Sequence, residues 1–319
     1  MLCFYLLLST TTQAKQLSFT KETKNQQHIF SYQWLDHKNE QQVISFTLSK
    51  EALFERFRML KTFKNEFAQK SILRGVKKQL KKQPLKGAQA SFKQSNGKIS
   101  IEVKSIDETK LPFAYQQVKK LEQQETQKYF KENYFQYFTD HDNQAGVKVN
   151  HIDIANDSVA DFKSLKSIIL ERVSIKNIRK VTNYVLAFVQ NIPYSPLESR
   201  LSSSGAGFNP PAKIIWENQG DCDSKMTLTA TLLRALMPRI DMAMIFIDQH
   251  AFIGIAIPPK AGEITVQDQG ITYVLAEPTG PALYPLGALA PESELAINQG
   301  RYTVEAYHSD GTIGLLKDE

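Results

Sequence analysis

The sequence contains only two cysteines in 319 residues, Cys3 and Cys222, which is too few for the disulfide framework of a small secreted domain. It has no second cysteine near Cys222 and no H-x-x-x-H pair, so a zinc site is not expected. Glycine-rich phosphate loops are also missing, because Gly205 and Gly207 lie among serines without a flanking strand and helix. We therefore expect neither a metal ion nor a cofactor.

The sequence also lacks an apolar run long enough to cross a bilayer. Leu2 to Leu8 are apolar, and small and polar residues follow as far as Ala14, a pattern typical of a secretory signal peptide that lacks its basic start. We expect residues 1–14 to be a truncated signal peptide and the mature protein to be periplasmic or secreted. Without a functional signal it would be cytoplasmic. Cleavage after Ala14 would remove Cys3 and exclude an intramolecular disulfide.

The net charge of the chain is +6, with a sequence pI of about 9.0. This balance permits weak contact with an anionic membrane surface but does not identify nucleic acid as a partner. The basic run from Arg74 to Lys86 is interpreted as a solvated helix face, with lipid headgroups or an acidic partner as the alternative. The aromatic residues between Tyr129 and Phe138 are expected to form core or an interdomain contact, and no nucleic-acid binding is expected.

The chain is long enough for two domains, and we place a boundary near residue 150. Residues 15–150 are expected to form a mixed α+β region and residues 151–319 a second domain. The elements predicted in the first region are a hairpin of His28 to Asp36 and Gln42 to Leu48, a helix from Glu51 to about Gln83, a hairpin from Gln89 to Ile106 and a helix from Leu111 to about Phe138. Substrate recognition, inhibition by covering the site, and stabilisation of the fold remain open as roles for this region.

The second region centres on the stretch from Trp216 to Leu236. From Ser224 onward its polar residues recur at helical spacing and apolar residues fill the remaining arc, which predicts a helix buried on most of its circumference. Asp221 is a candidate cap, so Cys222 falls at the helix N-terminus. The unpaired N–H groups and helix dipole there favour a thiolate, although the flanking carboxylates of Asp221 and Asp223 oppose it. A reactive thiolate at neutral pH also needs an imidazole within reach.

His250 is the histidine whose surroundings fit that role. It lies between two apolar runs, Met242 to Ile247 and Ala251 to Ile257, which are typical of buried strands joined by a tight turn. A further strand leads to Glu277, whose carboxylate is expected to orient the imidazole. Asp248 competes as the acid, but on the same strand face it would not reach the far ring nitrogen. Asp268 is more remote and is expected in a turn.

Three short motifs carry a resemblance to a known family: Gly220-Asp221-Cys222-Asp223, His250-Ala251-Phe252 and Glu277-Pro278-Thr279. They resemble the motifs of bacterial transglutaminase-like cysteine peptidases, of the papain-like superfamily, from about Lys163 to Pro285. The resemblance implies an α+β fold with helices packed on an antiparallel sheet, and a catalytic triad of Cys222, His250 and Glu277. It also implies that residues 151–319 form a transglutaminase-like catalytic domain. Two positions depart from the family pattern. The acid there is usually Asp, and the residue two after the histidine is often Trp where this chain has Phe252.

Three more residues are candidates for the substrate side of the site. Tyr194 follows a predicted helix and either lines the cleft or is structural. Trp216 either forms a wall of the acyl pocket or packs in the core. Gln219 is a candidate for an oxyanion-hole amide beside the backbone N–H of Cys222. The loop from Ser195 to Pro211, rich in Ser, Gly and Pro, is a candidate lid or substrate-binding loop.

These roles predict cysteine-dependent acyl transfer. The Cys222 thiolate attacks an amide carbonyl, His250 protonates the leaving amine, and the resulting thioester passes its acyl group to water or to an amine. The resemblance favours a thiol protease, a hydrolase that acts on a protein or peptide substrate. The alternatives are a transglutaminase, a cell-wall amidase, and a catalytically inactive transglutaminase-like binding module of the cell envelope.

Overall fold

A computed structural model describes residues 13–25, 27–95, 98–174, 176–198 and 207–309 of the chain. Its helices and antiparallel sheets form a mixed α+β fold, which confirms the fold class predicted from the sequence. The first twelve residues of the predicted signal peptide and the middle of the predicted lid lie outside the described residues.

The strands in the described part of the chain are β1 (Lys15–Lys24), β2 (Gln27–Leu35), β3 (Gln41–Ser49), β4 (Gln89–Ser95), β5 (Lys98–Lys104), β6 (Phe135–Thr139), β7 (Ala145–Val149), β8 (Met242–Ile247), β9 (His250–Ile255), β10 (Thr265–Asp268), β11 (Ile271–Ala276) and β12 (Thr303–Tyr307). The α-helices are α1 (Asn65–Lys82), α2 (Leu111–Glu132), α3 (His151–Ser158), α4 (Lys163–Leu170), α5 (Ile178–Gln190), α6 (Pro211–Glu217), α7 (Cys222–Leu236) and α8 (Pro291–Asn298).

The chain divides into two compact units. Residues 59–138 and 145–150 form one, which we call the insert, and the rest of the chain forms the main unit. This division differs from the expected boundary near residue 150, because β2 and β3 share one hydrophobic core with the helices that follow residue 151.

In the main unit, β1, β2 and β3 form an antiparallel three-stranded sheet. Large apolar residues alternate with more exposed ones along β2 and β3, and a period of two places them on one face of the sheet. That face joins the core formed by α3 to α7. The residues of this face are Phe30, Tyr32, Trp34, Ile44, Phe46 and Leu48.

The main unit also contains a five-stranded sheet with the order β10-β11-β9-β8-β12, in which every neighbouring pair is antiparallel. Both of its faces are buried: Met244 and Ile253 belong to the large core, whereas Ile245 and Phe252 belong to a second core that includes Ile297 of α8. Burial on both faces explains why β8 and β9 are continuous apolar runs. On the large-core side, α7 packs against β9.

The insert is built on α1 and α2, which pack against each other, and on the pairs β4–β5 and β6–β7. Gly75 allows the two helices to approach closely, because a Cβ atom at this position would overlap the Glu125 carboxylate. The same carboxylate accepts a hydrogen bond from the Gln79 side chain, with Nε2 and Oε1 3.1 Å apart.

Two helices predicted in the N-terminal region are shorter than expected. The first is a short helical turn at Glu51–Glu55, separated by an irregular segment from α1. Phe63 in that segment packs edge-on against Phe135, with ring centroids 5.2 Å apart, so tertiary packing overrides helical propensity. The second helix ends at Glu132, and Phe135, Tyr137 and Phe138 beyond it belong to β6. Within the insert, Tyr137 then packs against Phe130 with ring centroids 4.6 Å apart.

Arg234 ties the end of α7 to the end of β12. Its buried guanidinium donates hydrogen bonds of 2.7 to 2.9 Å to four backbone carbonyls and lies 4.1 Å from the centroid of the Tyr307 ring. Those carbonyls belong to Pro238, Ile240, Tyr307 and His308.

Arg234→Lys should therefore destabilise the protein although it keeps the charge. The ammonium group of a lysine is a single point with three donors, so it cannot donate to the four carbonyls that the planar guanidinium reaches. We expect the free energy of unfolding to fall by about 2–3 kcal/mol, measured by urea denaturation. Arg239→Lys at an exposed neighbouring position is the control, with an expected change below about 0.5 kcal/mol. An equal decrease in the free energy of unfolding in the two variants would show that the hydrogen bonds of Arg234 do not stabilise the protein.

Candidate active site

Cys222 is the first residue of α7, and the chain entering the helix is fixed on both sides. Asp221 caps the helix, its Oδ1 accepting a 3.0 Å hydrogen bond from the backbone N–H of Ser224. One residue earlier, the Gly220 N–H donates to the Pro193 carbonyl at 3.2 Å and the Ser195 N–H donates to the Gly220 carbonyl at 3.1 Å. The thiol is thus carried by a backbone with little freedom to move.

His250 and Glu277 come from neighbouring strands. His250 begins β9, and Glu277 directly follows β11, which pairs with β9. His250 Nε2 lies 2.8 Å from Glu277 Oε1. The second ring nitrogen, Nδ1, is not used by this contact, and the thiol of Cys222 is close enough to contribute to the pKa of the ring. The structure brings Cys222, His250 and Glu277 together in the order thiol, imidazole and carboxylate.

The Glu277 carboxylate is itself held in place. The side chain is almost fully buried, and its Oε2 accepts a 2.8 Å hydrogen bond from the Ala290 backbone N–H. Its backbone carbonyl accepts a 2.7 Å hydrogen bond from Gln190 Nε2 on α5. A carboxylate with both oxygens occupied presents one fixed acceptor to the imidazole.

The imidazole of His250 is biased toward its charged form. Burial lowers its pKa, but hydrogen bonds to Cys222 and Glu277 and the negative charges of both groups together raise the pKa to about 10. A protonated imidazole beside a thiol is the arrangement that maintains a thiolate–imidazolium pair.

The two competing carboxylates lie elsewhere. Asp248 lies in the exposed turn between β8 and β9, where its Oδ2 accepts a 3.0 Å hydrogen bond from Arg301 and its Oδ1 is 3.6 Å from His141. Asp268 is the last residue of β10, before the turn at Gln269. Of the three acids considered from the sequence, Glu277 is the one hydrogen-bonded to the imidazole.

The three candidates for the substrate side occupy different surroundings. Tyr194 pairs through its backbone with Gly220, and its side chain is about half exposed. Burial, followed by the negative charges of Cys222 and Asp221, raises the pKa of its hydroxyl. Trp216 instead packs edge-on against Phe54, with centroids 4.9 Å apart. Its packing partners also include His28 and Phe30 of β2, which favours the core interpretation. Gln219 is half-buried in the link between α6 and α7.

Lys225 is a residue of the site that the sequence interpretation missed. It lies one helical turn after Cys222, is completely buried, and its Nζ donates a hydrogen bond to the Ile192 carbonyl. Burial lowers its pKa to about 7, while the negative charge of Cys222 acts in the opposite direction. A lysine on the apolar arc of a predicted buried helix, three residues after the cysteine, is the signal that could have found it.

His151 was also missed, and it lies on another side of α7. This buried histidine opens α3, with Nδ1 3.1 Å from Thr227 Oγ1 and Nε2 3.7 Å from Asp223 Oδ2. Its distance in sequence from Asp223 left no local signal of the contact. The imidazole of His151 therefore lies close to the carboxylate that follows Cys222.

Within the described residues, no group of three or more His, Cys, Asp or Glu is arranged to hold a metal ion. Among the helices that the structure describes, none has the length and apolar character needed to cross a membrane.

Comparison with protein-family models, with curated proteins and with solved structures gave no match in any of the three cases. The chemistry of this site is therefore inferred from its own geometry.

Asp221 makes the stability of the folded protein depend on pH in a defined direction. Burial raises its pKa to about 6, and although the hydrogen bonds from Ser224 act against this, the charge of Asp223 adds to it. The folded protein therefore binds a proton that the unfolded chain releases between about pH 4 and pH 6. This contribution to stability is present below that window and is lost as the pH rises through it.

Asp221→Asn keeps an acceptor at the cap position but removes the buried charge. We expect it to raise the free energy of unfolding at about pH 7.5 by on the order of 1 kcal/mol and to change it little at about pH 4, measured by urea denaturation at both values. Asp221→Ala is the comparison. It removes the buried charge and also the cap, so it should not raise the free energy of unfolding at about pH 7.5. An equal increase in the free energy of unfolding of Asp221→Asn at both pH values would contradict the raised pKa of Asp221.

Lys225→Met tests whether the buried ammonium supports the thiolate. Methionine fills a similar volume without charge, so alkylation of Cys222 by iodoacetamide should slow about tenfold near pH 6, where the lysine is protonated. The rates of the two proteins should converge near pH 9. Alkylation rates that coincide across the whole pH range would limit Lys225 to a structural role.

Proposed function

We propose that this protein is a cysteine-dependent acyl-transfer enzyme that hydrolyses amide bonds, with Cys222 as nucleophile, His250 as acid and base, and Glu277 as the residue that orients the imidazole. The observation that carries the proposal is the position of His250, whose Nε2 lies 2.8 Å from a buried carboxylate and whose pKa is raised by the thiol of Cys222 at a helix N-terminus. The sequence motifs resemble those of transglutaminase-like cysteine peptidases, and the proposal places the chain with them.

The proposed reaction begins with attack of the Cys222 thiolate on the carbonyl carbon of an amide. As the first residue of α7, Cys222 has a backbone N–H without an acceptor inside the helix, so this group can donate to the developing oxyanion. The charged imidazole of His250 then gives its proton to the leaving amine, and a thioester forms. Water then attacks the thioester while His250, now neutral, accepts a proton from it. The bond to sulfur breaks, the free acid leaves, and the Cys222 thiolate beside a charged imidazole is restored.

Glu277 acts through the imidazole in this scheme. Its hydrogen bond to Nε2 keeps the other ring nitrogen directed at the thiol and stabilises the imidazolium. The bond from Ala290 and the packing around the carboxylate prevent it from rotating away. A glutamate therefore serves where the resembled family usually has aspartate, because the longer side chain is held at the required position.

The proposed substrate is a protein or peptide. Tyr194, half exposed beside Gly220, is the candidate for contact with the acyl side of the scissile bond. Hydrolysis and transfer to an amine share the same thioester, so a transglutaminase remains the second form of the proposal. An inactive binding module would not require a thiol and a buried carboxylate on the same imidazole.

The experiment is the pH dependence of Cys222 alkylation by iodoacetamide, followed by mass spectrometry. The wild type should label rapidly at about pH 6, whereas His250→Ala should label at least about tenfold more slowly because the thiolate loses its counter-charge. Glu277→Gln should show an intermediate rate. Asp248→Asn, which changes an exposed carboxylate near His250 in sequence, should label like the wild type.

A peptide-library digest then tests turnover. Cys222→Ala should abolish cleavage, and Glu277→Gln should lower kcat/KM by about 10²-fold or more. Slow wild-type labelling that does not respond to His250→Ala would refute the proposed function. Rapid labelling together with amine incorporation in place of cleavage would select the transglutaminase.

A further inference from the structure

The insert has a charge composition opposite to that of the main unit. It holds 18 of the 39 lysines and arginines of the chain but only 7 of the 33 aspartates and glutamates, a net charge of +11 in 86 residues. The main unit is net negative, since the whole chain carries +6. Between Phe67 and Ile101 there are nine lysines and arginines and no acid.

Most of these cations lie on one face of α1. The helix buries Ala68, Leu73 and Val76, and its opposite face is exposed. Spacings of three and four residues place one aromatic ring and six cations on that exposed face. We call them the basic face: Phe67, Lys70, Arg74, Lys77, Lys78, Lys81 and Lys82. Among the described residues, no ion pair involves any of these six cations.

A groove of about 710 Å³ runs along the basic face, between α1 and β4. Four cations line it, and apolar side chains that include Leu80, Leu85 and Phe92 form the rest of the lining. Lys77 Nζ lies 4.6 Å from the centroid of the Phe92 ring. The groove thus offers positive charge and apolar surface side by side, a combination that suits a ligand with an anionic head and an apolar body.

We propose that the basic face docks on an anionic lipid bilayer. Lipid phosphates lie against Arg74, Lys78 and Lys81, the groove receives the apolar part of a lipid beside them, and the exposed ring of Phe67 enters the headgroup layer. Clusters of four to eight cations without acids attract anionic lipid surfaces, and an aromatic ring on the same face adds apolar burial.

The apolar lining favours lipid over nucleic acid. A nucleic-acid groove would follow the backbone with charge and offer free aromatic faces for stacking. Here Phe92 has Lys77 over its ring, and aliphatic residues form much of the remaining lining.

The test is flotation of the full chain with vesicles of phosphatidylcholine containing about 30% phosphatidylglycerol, compared with phosphatidylcholine alone. Cys222→Ala protein is used, so that the result is independent of the proposed enzymatic function. We expect binding to the anionic vesicles at least about tenfold stronger than to the neutral ones. Raised ionic strength should weaken it.

Two triple variants distinguish the effect of charge on the basic face from the effect of the net charge of the protein. Arg74→Gln, Lys78→Gln and Lys81→Gln together should reduce binding at least about tenfold. Lys119→Gln, Lys120→Gln and Lys131→Gln together remove the same charge from exposed positions on α2 and should have a far smaller effect. Circular dichroism establishes that both variants are folded, and Phe67→Ser should weaken binding without changing net charge.

Equal binding to neutral and anionic vesicles would overturn the proposal, as would equal losses in the two triple variants. Retention of a DNA duplex at a phosphate concentration where anionic vesicles are not bound would also overturn it, and would identify nucleic acid as the partner.

Discussion

Burial of α7 on almost its whole circumference is the constraint on which the rest of the main unit depends. Every residue from Ser224 to Leu236 is buried, although the helix carries several polar side chains. Leaving such groups unpaired would cost several kcal/mol, so each needs a partner inside the protein. The hydroxyls of Thr227, Thr229 and Thr231 donate to carbonyls four residues earlier at 2.7 to 2.8 Å.

The two buried cations of α7 also have hydrogen-bond partners, but these acceptors lie outside the helix. Lys225 donates to the carbonyl of Ile192 at the end of α5, and Arg234 donates to four carbonyls beyond the helix C-terminus. These contacts fix the helix along its length and at both ends. A helix held this way gives its first residue, Cys222, a defined position relative to β9 and β11. The proposed chemistry depends on that position, because a displaced thiol loses its contact with the imidazole.

The chain separates its charges between the two units. The proposed site lies in the net negative main unit, where the raised pKa of His250 depends on a local thiol and carboxylate rather than on a general field. The insert places six of its 18 lysines and arginines on the basic face of α1, where they make no ion pairs among the described residues. Like charges held together on a helix repel one another, so the arrangement costs stability unless an anionic surface compensates it.

The sequence by itself determined the elements with a clear period. The buried helix at Cys222, the strands around His250 and the hairpin of β2 and β3 follow from 3.6-residue spacing, from continuous apolar runs and from alternation. Motif order then singled out Cys222, His250 and Glu277. The short elements α3, α6 and α8 were missed, because eight residues or fewer carry too little periodic signal.

Only the tertiary structure decided which distant residues share surroundings. It placed the carboxylate of Glu277, and not that of Asp248, against His250 and Ala290, and it packed Trp216 against β2. It also brought His151 to Asp223 and directed Lys225 to the Ile192 carbonyl. These contacts arise when helices and strands far apart in sequence bury a common core, and the composition and spacing of one segment do not record its neighbours in space.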